Sequence, residues 1–344
     1  MRTLFEQHDS AADRAKDFLI RHKVAVAAVG VLLALGIAAS VGYDRFAYAQ
    51  QPDPDFHPQV AQPAYTAEHP EVLFDAAHIN FHTPDGNYKP FADLIRSDGF
   101  VVVPNTRKFT AESLRGARVL VIANALGIRG ASAMLLNLVG YTKALQWDLD
   151  AFSPEECKVL RDWVFNGGGL LLISDHAPTG SAARQLAAQF GVDMSNWFTE
   201  DDQHSDPDAY SFLIFSRENG LLLEHPVTAG RNSGERVNRI VTFTGQSLKG
   251  PADSTPFLAL APSAREYPFR ESTLAEGRSA AGRAQGVALS YGEGRVVVLG
   301  EAAMLSAQIF RVPGREIRLG MEYPGCDNRQ LALNIMHWLS QLTN

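Results

Sequence analysis

From Glu71 onward, short apolar runs alternate with longer segments that have helical periodicity. Residues 170–173 are four consecutive apolar residues after three glycines, which is typical of a strand buried on both faces. Cys157, Leu160 and Val164 repeat at the spacing of one helix face, and the Ser-Pro-Glu-Glu before them is a capping box with proline at the first helical position. This alternation predicts a three-layer α/β domain, with a mostly parallel sheet and helices on both faces.

The other apolar runs predict further elements in the same order. Strands are expected at 72–77, 100–103, 118–123, 237–244, 257–261, 286–291 and 295–299, and helices at 88–97, 181–190 and 327–342. The last two strands are joined by Gly-Glu-Gly and should form a hairpin. Two polar stretches remain, and we expect them to be a solvated insertion at 195–208 and an irregular surface loop at 265–283.

The amino-terminal part has a different pattern. Residues 1–23 form a polar lead, and 24–43 run about twenty residues without a charge, which is long enough to cross a bilayer. Arg21 and Lys23 precede this run, so the positive-inside rule predicts a cytoplasmic lead. We therefore expect a single-pass anchor in the inner membrane, with the rest of the chain on the periplasmic, extracytoplasmic side.

Two boundaries follow from this reading. Residues 44–70 are rich in proline and should form a stiff linker, and 71–344 should form the α/β domain. Ala-Tyr-Ala at 47–49 resembles a signal-peptidase site, so cleavage after Ala49 is the alternative to an uncleaved anchor.

Composition excludes some functions. The net charge of -7 and the lack of a basic cluster argue against a nucleic-acid partner. Two cysteines make no disulfide framework, and Cys157 should be a buried small hydrophobe. No phosphate-binding glycine loop occurs, and Gly-Gln-Ser-Leu-Lys at 245–249 fails the G-x-S-x-G pattern at its fifth residue.

Polar residues with possible chemistry follow several predicted strands. They are Asp175 and His176 after the central strand, His78, Asn80 and His82 after the first strand, Glu301 after the last strand, and Asp327 and Asn328 at the head of the final helix. If the first strand stayed extended, its two histidines and Asn80 would project from one face. Since parallel strands end at one edge of a sheet, we expect these groups to meet there.

Imidazoles and carboxylates together suit two kinds of chemistry. We assign catalytic roles to Asp175, His176, His78 and Glu301, and substrate-binding roles to the side chains Asn80, His82, Asp327 and Asn328. One account has His78, Asp175 and His176 hold a divalent metal such as zinc. The other is a metal-free cluster in which an imidazole acts as general base.

These residues also carry a resemblance to a known family. FDAAHINFH at the first strand, SPEE leading into GGGLLLISDH, HPVTAG at 225–230 and GRVVVLGEA before a DN-headed helix resemble the class I glutamine amidotransferase-like superfold. The nearest branch contains GIFT domains of intraflagellar-transport and gliding proteins, ThuA-like proteins and β-galactosidase trimerisation domains. The resemblance implies a flavodoxin-like sheet and, for several relatives, carbohydrate binding or processing.

The resemblance also limits the chemistry. True amidotransferases carry a nucleophilic cysteine after the central strand, where this chain has Ser174-Asp175-His176, so glutaminase activity is not implied. We expect a hydrolase that acts on a saccharide or cell-envelope substrate without a cysteine or G-x-S-x-G nucleophile. The alternative is a non-catalytic carbohydrate-binding or envelope-assembly module of the same fold.

Overall fold

The computed structural model describes residues 50–343 except 139–140, 142, 145–146, 208, 269–276 and 313–314. Its strands in chain order are β1 (Gln50–Pro52), β2 (Glu71–Asp75), β3 (Val101–Asn105), β4 (Val119–Ala123), β5 (Gly169–Ile173), β6 (Asp193–Met194), β7 (Phe198–Glu200), β8 (Ser205–Asp206), β9 (Ala209–Ser216), β10 (Arg239–Val241), β11 (Leu248–Lys249), β12 (Thr255–Ala259), β13 (Arg265–Tyr267), β14 (Arg278–Ser279), β15 (Ala284–Tyr291), β16 (Gly294–Leu299), β17 (Ala307–Val312) and β18 (Arg315–Gly320). The helices are α1 (Lys89–Ser97), α2 (Gly127–Leu138), α3 (Pro154–Phe165), α4 (Thr179–Ala188), α5 (Pro226–Ala229) and α6 (Asn328–Leu339).

A nine-stranded sheet organises these elements. Its order is β3-β2-β4-β5-β16-β15-β11-β6, and β12 pairs with β15. The first five strands are parallel, whereas β15, β11, β6 and β12 extend the sheet through antiparallel pairs. The parallel part has the doubly wound order whose direction reverses between β2 and β4, and the carboxyl ends on either side of such a reversal form a crevice.

Both faces of the sheet are covered by helices. Along β4, Val119 and Val121 pack in the apolar cluster that includes α1 and α6, whereas Leu120 and Ile122 pack in the cluster that includes α3 and α4. Every residue of β4 and β5 is buried. Side chains alternate along a strand, so an uninterrupted apolar run is what a strand with two covered faces requires. The predicted central position of β5 is therefore confirmed.

The capping box at α3 also forms as predicted. Ser153 Oγ accepts from the N–H of Glu156, and the Glu156 carboxylate accepts from the N–H of Ser153. Cys157, in the first turn of this helix, is buried in the core, and burial raises the pKa of its thiol to about 11. This cysteine is thus a packing residue, as its apolar stripe indicated.

Several expectations differ from the fold. The solvated insertion predicted at 195–208 contains β7 and β8, and Phe198, Thr199 and Asp201 are buried. The loop predicted at 265–283 contains β13 and β14, which join β7 in a small antiparallel sheet. These strands are two or three residues long, so they leave no period-2 signal in the sequence. Helix α2 and the hairpin β17–β18 were not predicted.

The described part of the proline-rich stretch, 50–70, makes contacts with the α/β domain. Strand β1 pairs with β17, and the N–H of Ala64 donates to Asp98 Oδ1 at 2.8 Å. The Tyr65 ring lies edge-on to Phe100, with ring centroids 4.8 Å apart. Proline removes donors and fixes φ, but the residues between prolines remain free to pair with the domain.

The predicted anchor at 24–43, the lead at 1–23 and residues 44–49 lie outside the described residues. Within the described part of the chain, no helix is long and apolar enough to cross a membrane.

Candidate functional site

Asp175 is fixed by two neighbours at the carboxyl edge of the sheet. It lies two residues after β5, and Asn124, one residue after β4, pairs with it twice. Asn124 Nδ2 donates to Asp175 Oδ2 at 2.7 Å, and the N–H of Asp175 donates to Asn124 Oδ1 at 2.9 Å. The N–H of Ala302, beyond β16, donates to Asp175 Oδ1 at 2.7 Å. Side chains and backbone from three adjacent strand ends thus meet at one half-buried carboxyl group.

Glu301 is the second carboxyl group of this cluster. It is buried, and its oxygens accept from the N–H groups of Ala303 and Met304 at 2.7 and 2.8 Å. Three successive backbone N–H groups, 302–304, therefore serve the two carboxyl groups, one for Asp175 and two for Glu301. Successive N–H groups at a turn form an anion-binding concavity, which explains why two acids can occupy neighbouring strand ends.

The environment changes the acidity of both groups. Burial raises the pKa of Asp175 to about 6, although the hydrogen bonds from Asn124 and Ala302 oppose this rise. Burial, with the nearby charge of Asp175, raises the pKa of Glu301 well above its ordinary value. Asp175 therefore exchanges a proton near neutral pH, and a group that titrates near pH 6 is suited to general acid–base work.

His176 lies beside this pair and is half-buried. Its ring stacks on Phe198 with centroids 3.8 Å apart, and its Nδ1 lies 3.0 Å from the Ala177 carbonyl oxygen. The strand end thus presents a carboxyl group and an imidazole together, as the sequence indicated for Asp175 and His176.

Gln246 is a buried neighbour of the candidate site that sequence reasoning missed. Its buried side chain donates to the carbonyl oxygens of Ser174 and Asp175 at 2.9 and 3.0 Å and accepts from the N–H of Asn196 at 2.7 Å. It therefore fixes the backbone that carries Asp175. Its only signal was its place in the Gly-Gln-Ser-Leu-Lys run, which was considered for its serine rather than its amide.

His78 belongs to a separate, closed cluster. Its Nδ1 lies 2.9 Å from Asp75 Oδ1 and its Nε2 lies 3.0 Å from Glu156 Oε1, so carboxylates face both ring nitrogens. The ring is buried between Phe109 and Phe152, with centroid distances of 4.8 and 4.7 Å. Burial alone would lower the pKa of His78, but Asp75 and Glu156 outweigh it and the pKa is raised. The imidazole is a structural cation that joins β2 to α3.

The predicted metal site does not fit these positions. Both nitrogens of His78 already face carboxylates, so neither is free to ligate a metal. Across the described ranges between 50 and 343, no three His, Cys, Asp or Glu side chains are placed to hold an ion. His78 is engaged at β2, while Asp175 and His176 follow β5 two strands away, so the three predicted ligands are not brought together.

His82 and Asn80 do not share a face with His78, because the chain turns after β2 and does not stay extended. Ile79 adopts φ 52°, which reverses the backbone. Asn80 Nδ2 then donates to Asp75 Oδ2 at 3.0 Å, and the His82 ring packs against Tyr88 with centroids 4.8 Å apart. Burial lowers the pKa of His82 to about 3, so its ring is neutral.

Asp327 and Asn328 are used by the fold. Asp327 Oδ2 accepts from the N–H groups of Asn238 and Arg239 at 2.7 and 3.1 Å. Asn328 exchanges hydrogen bonds with the backbone of Val241, at 3.1 Å and 2.7 Å, and its Nδ2 also lies 3.2 Å from the Met304 carbonyl oxygen. These two side chains therefore hold α6 to β10 and to the turn that caps Glu301.

Two surface cavities lie away from this cluster. The larger, about 650 Å³, is lined by the turn at 224–231 and by Leu342 and Thr343. The smaller, about 420 Å³, lies beside β18 and Tyr323. Asp175, His176 and Glu301 line neither, so the candidate site is an edge of the sheet and not one of these two cavities.

Comparison with solved structures finds similar chains at low sequence identity. The N-terminal domain of mmIFT52 matches with a TM-score of 0.53 and 15% identity, covering 78% of this chain and 97% of that domain. This chain therefore shares the fold of that domain. ThuA-like proteins from Bacteroides uniformis and Parabacteroides merdae match with TM-scores of 0.39 and 0.38, at 14% and 13% identity, covering 81% and 80% of this chain and 95% and 91% of theirs. No family model matches the sequence, and no curated protein matches it at a significant level.

The position after the central strand β5 holds Ser174-Asp175-His176. The two cysteines lie elsewhere, Cys157 on the buried side of α3 and Cys326 before α6. The candidate centre is therefore the pair Asp175 and Glu301 with His176 beside it.

Proposed function

We propose that the domain is a hydrolase of saccharide or cell-envelope substrates, in which Asp175 is the acid–base group. The observation that carries the proposal is the placement of this half-buried carboxyl group. Asn124 and Ala302 fix it, and it lies beside the buried carboxyl group of Glu301. A fixed carboxyl group that titrates near pH 6 can remove a proton from water and return it to a leaving oxygen.

The roles divide by exposure. Asp175 and His176 reach solvent, so they are the groups that contact substrate, whereas Glu301 is buried and acts through Asp175. Saccharide hydrolysis suits this set because carboxyl groups supply its proton transfers. The finer resemblance, to the branch with GIFT domains and ThuA-like proteins, supports carbohydrate as the substrate class and belongs to the same proposal.

The location is part of the proposal. Residues 24–43 anchor the chain in the inner membrane, and the domain works on the extracytoplasmic side, where envelope saccharides occur. This rests on the charge-free run and on Arg21 and Lys23 before it. To test this, a reporter enzyme that works only outside the cytoplasm is fused after Asn344. We expect this fusion to show reporter activity. Activity of a reporter that works only in the cytoplasm would contradict the orientation.

The catalytic proposal is tested with the full chain purified in detergent. We expect Asp175→Asn to reduce hydrolysis of a chromogenic glycoside or envelope glycan by roughly 100-fold or more, because it removes the proton-transfer group. Asp253→Asn, an exposed loop aspartate, is the matched control and should keep full activity. Circular dichroism verifies that both variants are folded. Full activity in folded Asp175→Asn would refute the catalytic role.

A binding module is the second candidate, and a specific observation favours it. Four of the predicted groups, His78, Asn80, Asp327 and Asn328, are engaged in hydrogen bonds within the protein. This leaves a small solvent-facing polar set, centred on Asp175 and His176. Saccharide binding without turnover, lost on Asp175→Asn, would support this candidate over the hydrolase.

A further inference from the structure

Tyr88 is a fully buried residue that lies directly before α1. Its ring packs against Phe74, Phe91 and His82, with centroids 6.0, 5.7 and 4.8 Å apart. A buried hydroxyl group needs a hydrogen-bond partner, and the Tyr88 hydroxyl donates to the carbonyl oxygen of Ala302 at 2.5 Å. Ala302 lies three residues after β16, in the turn whose N–H groups serve the two carboxyl groups of the candidate site.

The contact with Tyr88 reaches Glu301 through a single peptide unit. The carbonyl group of Ala302 and the N–H of Ala303 belong to the same peptide bond, and this N–H donates to Glu301 Oε1 at 2.7 Å. A hydrogen bond accepted by the carbonyl oxygen polarises the peptide unit and strengthens the hydrogen bond that its N–H donates. The Tyr88 hydroxyl therefore supports the donor of Glu301 without touching the carboxyl group.

The same contact restricts the donor of Asp175. The N–H of Ala302 donates to Asp175 Oδ1 at 2.7 Å. This N–H and the carbonyl group that Tyr88 binds flank one α-carbon, and only two soft dihedral angles separate them. A hydroxyl that fixes the carbonyl group thus also limits the positions open to the N–H, and one side chain acts on both acids.

A second hydrogen bond connects the segment before α1 to this turn. Ser306 Oγ donates to the carbonyl oxygen of Asn87 at 2.5 Å, and the N–H of Ser306 donates to the Ala303 carbonyl oxygen at 3.0 Å. The adjacent residues Asn87 and Tyr88 therefore bind the turn at two points, residues 306 and 302. Groups of this kind, which fix the residues that hold a reactive side chain, set the precision of a site.

The protonation of Tyr88 suits a fixed donor. Burial raises the pKa of its hydroxyl well above the ordinary value, and the charges of Glu301 and Asp175 raise this pKa further. The hydroxyl therefore keeps its proton over the whole range in which Asp175 titrates. Because Tyr88 is fully buried, it neither contacts substrate nor transfers a proton to it.

We propose that Tyr88 is a positioning residue, whose hydroxyl group holds the N–H groups of Ala302 and Ala303 against the carboxyl groups of Asp175 and Glu301. The assignment rests on the proposed acid–base centre, and it adds to that centre a residue from the segment between β2 and α1. Its test needs no substrate.

The test is a carbon-13 NMR titration of Asp175 in the full chain carrying Tyr88→Phe. This change keeps the ring, and the Ala302 oxygen keeps the N–H of Leu305 as a partner at 3.3 Å, so the domain should fold. We expect the Asp175 inflection to move to higher pH by about half a pH unit, because weaker N–H donors stabilise the charged carboxylate less.

Tyr65→Phe is the matched control. It also removes a tyrosine hydroxyl that is bonded within the protein, to Ser340 Oγ at 2.8 Å. Ser340 lies beside Arg118, which precedes β4, and so belongs to the opposite edge of the sheet. This variant should leave the Asp175 inflection unchanged, although each variant loses one hydrogen bond. Circular dichroism verifies that both variants are folded.

Ser306→Ala provides a second variant that does not alter Tyr88. It removes the hydrogen bond to the Asn87 carbonyl oxygen, and the Asp175 inflection should move in the same direction by a smaller amount. An inflection in folded Tyr88→Phe that equals those of the wild type and Tyr65→Phe would overturn the proposal and make Tyr88 a packing residue. Should Tyr88→Phe not fold, an unchanged inflection in Ser306→Ala would overturn it.

The positioning role and the hydrolase can fail separately. A shifted inflection in Tyr88→Phe together with full hydrolysis by folded Asp175→Asn would support the positioning role and refute the catalytic one. Loss of hydrolysis in Asp175→Asn with no shift in Tyr88→Phe would refute the positioning role alone.

Discussion

Two strand ends of this domain carry the same type of residues but have opposite characters. After β2, Asp75 and His78 lie in the core with Glu156, and aromatic rings cover the imidazole on both sides. After β5, Asp175 and His176 reach solvent, and the carboxyl group of Asp175 has neutral or backbone donors, Asn124 and Ala302, as its partners. An acid next to an imidazole at a strand end is therefore not by itself a site.

The difference comes from partners that are distant in sequence. Glu156 follows His78 by 78 residues, and it is the residue that closes the capping box of α3. One carboxylate thus serves a helix end and a buried imidazole together. At β5 the distant partner is Glu301, a second acid, and burial raises the pKa of both carboxyl groups, with the charge of Asp175 adding to the rise at Glu301.

The largest expected effect is on stability and distinguishes the two histidines. His78→Ala should lower the free energy of unfolding by about 3–5 kcal/mol, because it leaves Asp75 and Glu156 buried without their shared cation. His176→Ala should cost about 1 kcal/mol, the worth of one aromatic contact with Phe198. Urea unfolding of both variants measures this. Equal losses would mean that the two strand ends do not differ as described.

Elements of the fold that depend on neighbours along the chain could be predicted from the sequence, whereas elements that depend on distant partners could not. The apolar run at 170–173 and the capping box at 153–156 depend on neighbours along the chain, and both predict the structure correctly. The short strands β6, β7, β8 and β14 form because the sheet or a neighbouring strand supplies hydrogen-bond partners. The local pattern of apolar and polar residues therefore does not predict them.

The residues around the candidate site also fall into those that the sequence predicts and those that depend on distant partners. Asp175, His176 and Glu301 could be predicted to lie close together because each follows an apolar strand, and apolar strands are visible in the sequence. Gln246 was missed, and His78 was placed in the wrong cluster, because their partners Ser174 and Glu156 lie 72 and 78 residues away. The turn at Ile79, where a β-branched residue adopts φ 52°, also has no sequence signal and separates His82 from His78.

A smaller effect is expected in the pH dependence of stability. The pKa of Asp175 is about 6 in the folded domain, whereas in the unfolded chain it takes the ordinary aspartate value near 3.8. Between these two pH values the folded state therefore binds more protons than the unfolded state. Its contribution to stability is therefore fully present below about pH 4 and lost as the pH rises through 6. Relative to Asp175→Asn, the wild type should lose unfolding free energy over this range. Parallel curves for the two proteins would contradict the raised pKa.

The smallest expected effect is on stability, and it tests whether the cap of α3 is needed for the charge on His78. Ser153→Ala removes the hydroxyl that accepts from Glu156 N–H and should cost about 1 kcal/mol of stability. The Glu156 carboxylate keeps its bonds to His78 and to the N–H of Phe109, so the histidine should remain charged. NMR titration of the His78 ring verifies this. A fall of its pKa to the ordinary histidine value would show that the cap, rather than Asp75 and Glu156 together, holds the charge.

The most direct test of the account is the titration of Asp175 itself, by carbon-13 NMR of its carboxyl group in the full chain. The account predicts an inflection at about pH 6, because burial outweighs the donors Asn124 and Ala302. It further predicts that Asn124→Ala moves this inflection to higher pH, since a donor to the charged form is lost. An inflection near 3.8 that Asn124→Ala does not change would mean that Asp175 is an ordinary surface acid, and the proposed acid–base centre would be wrong.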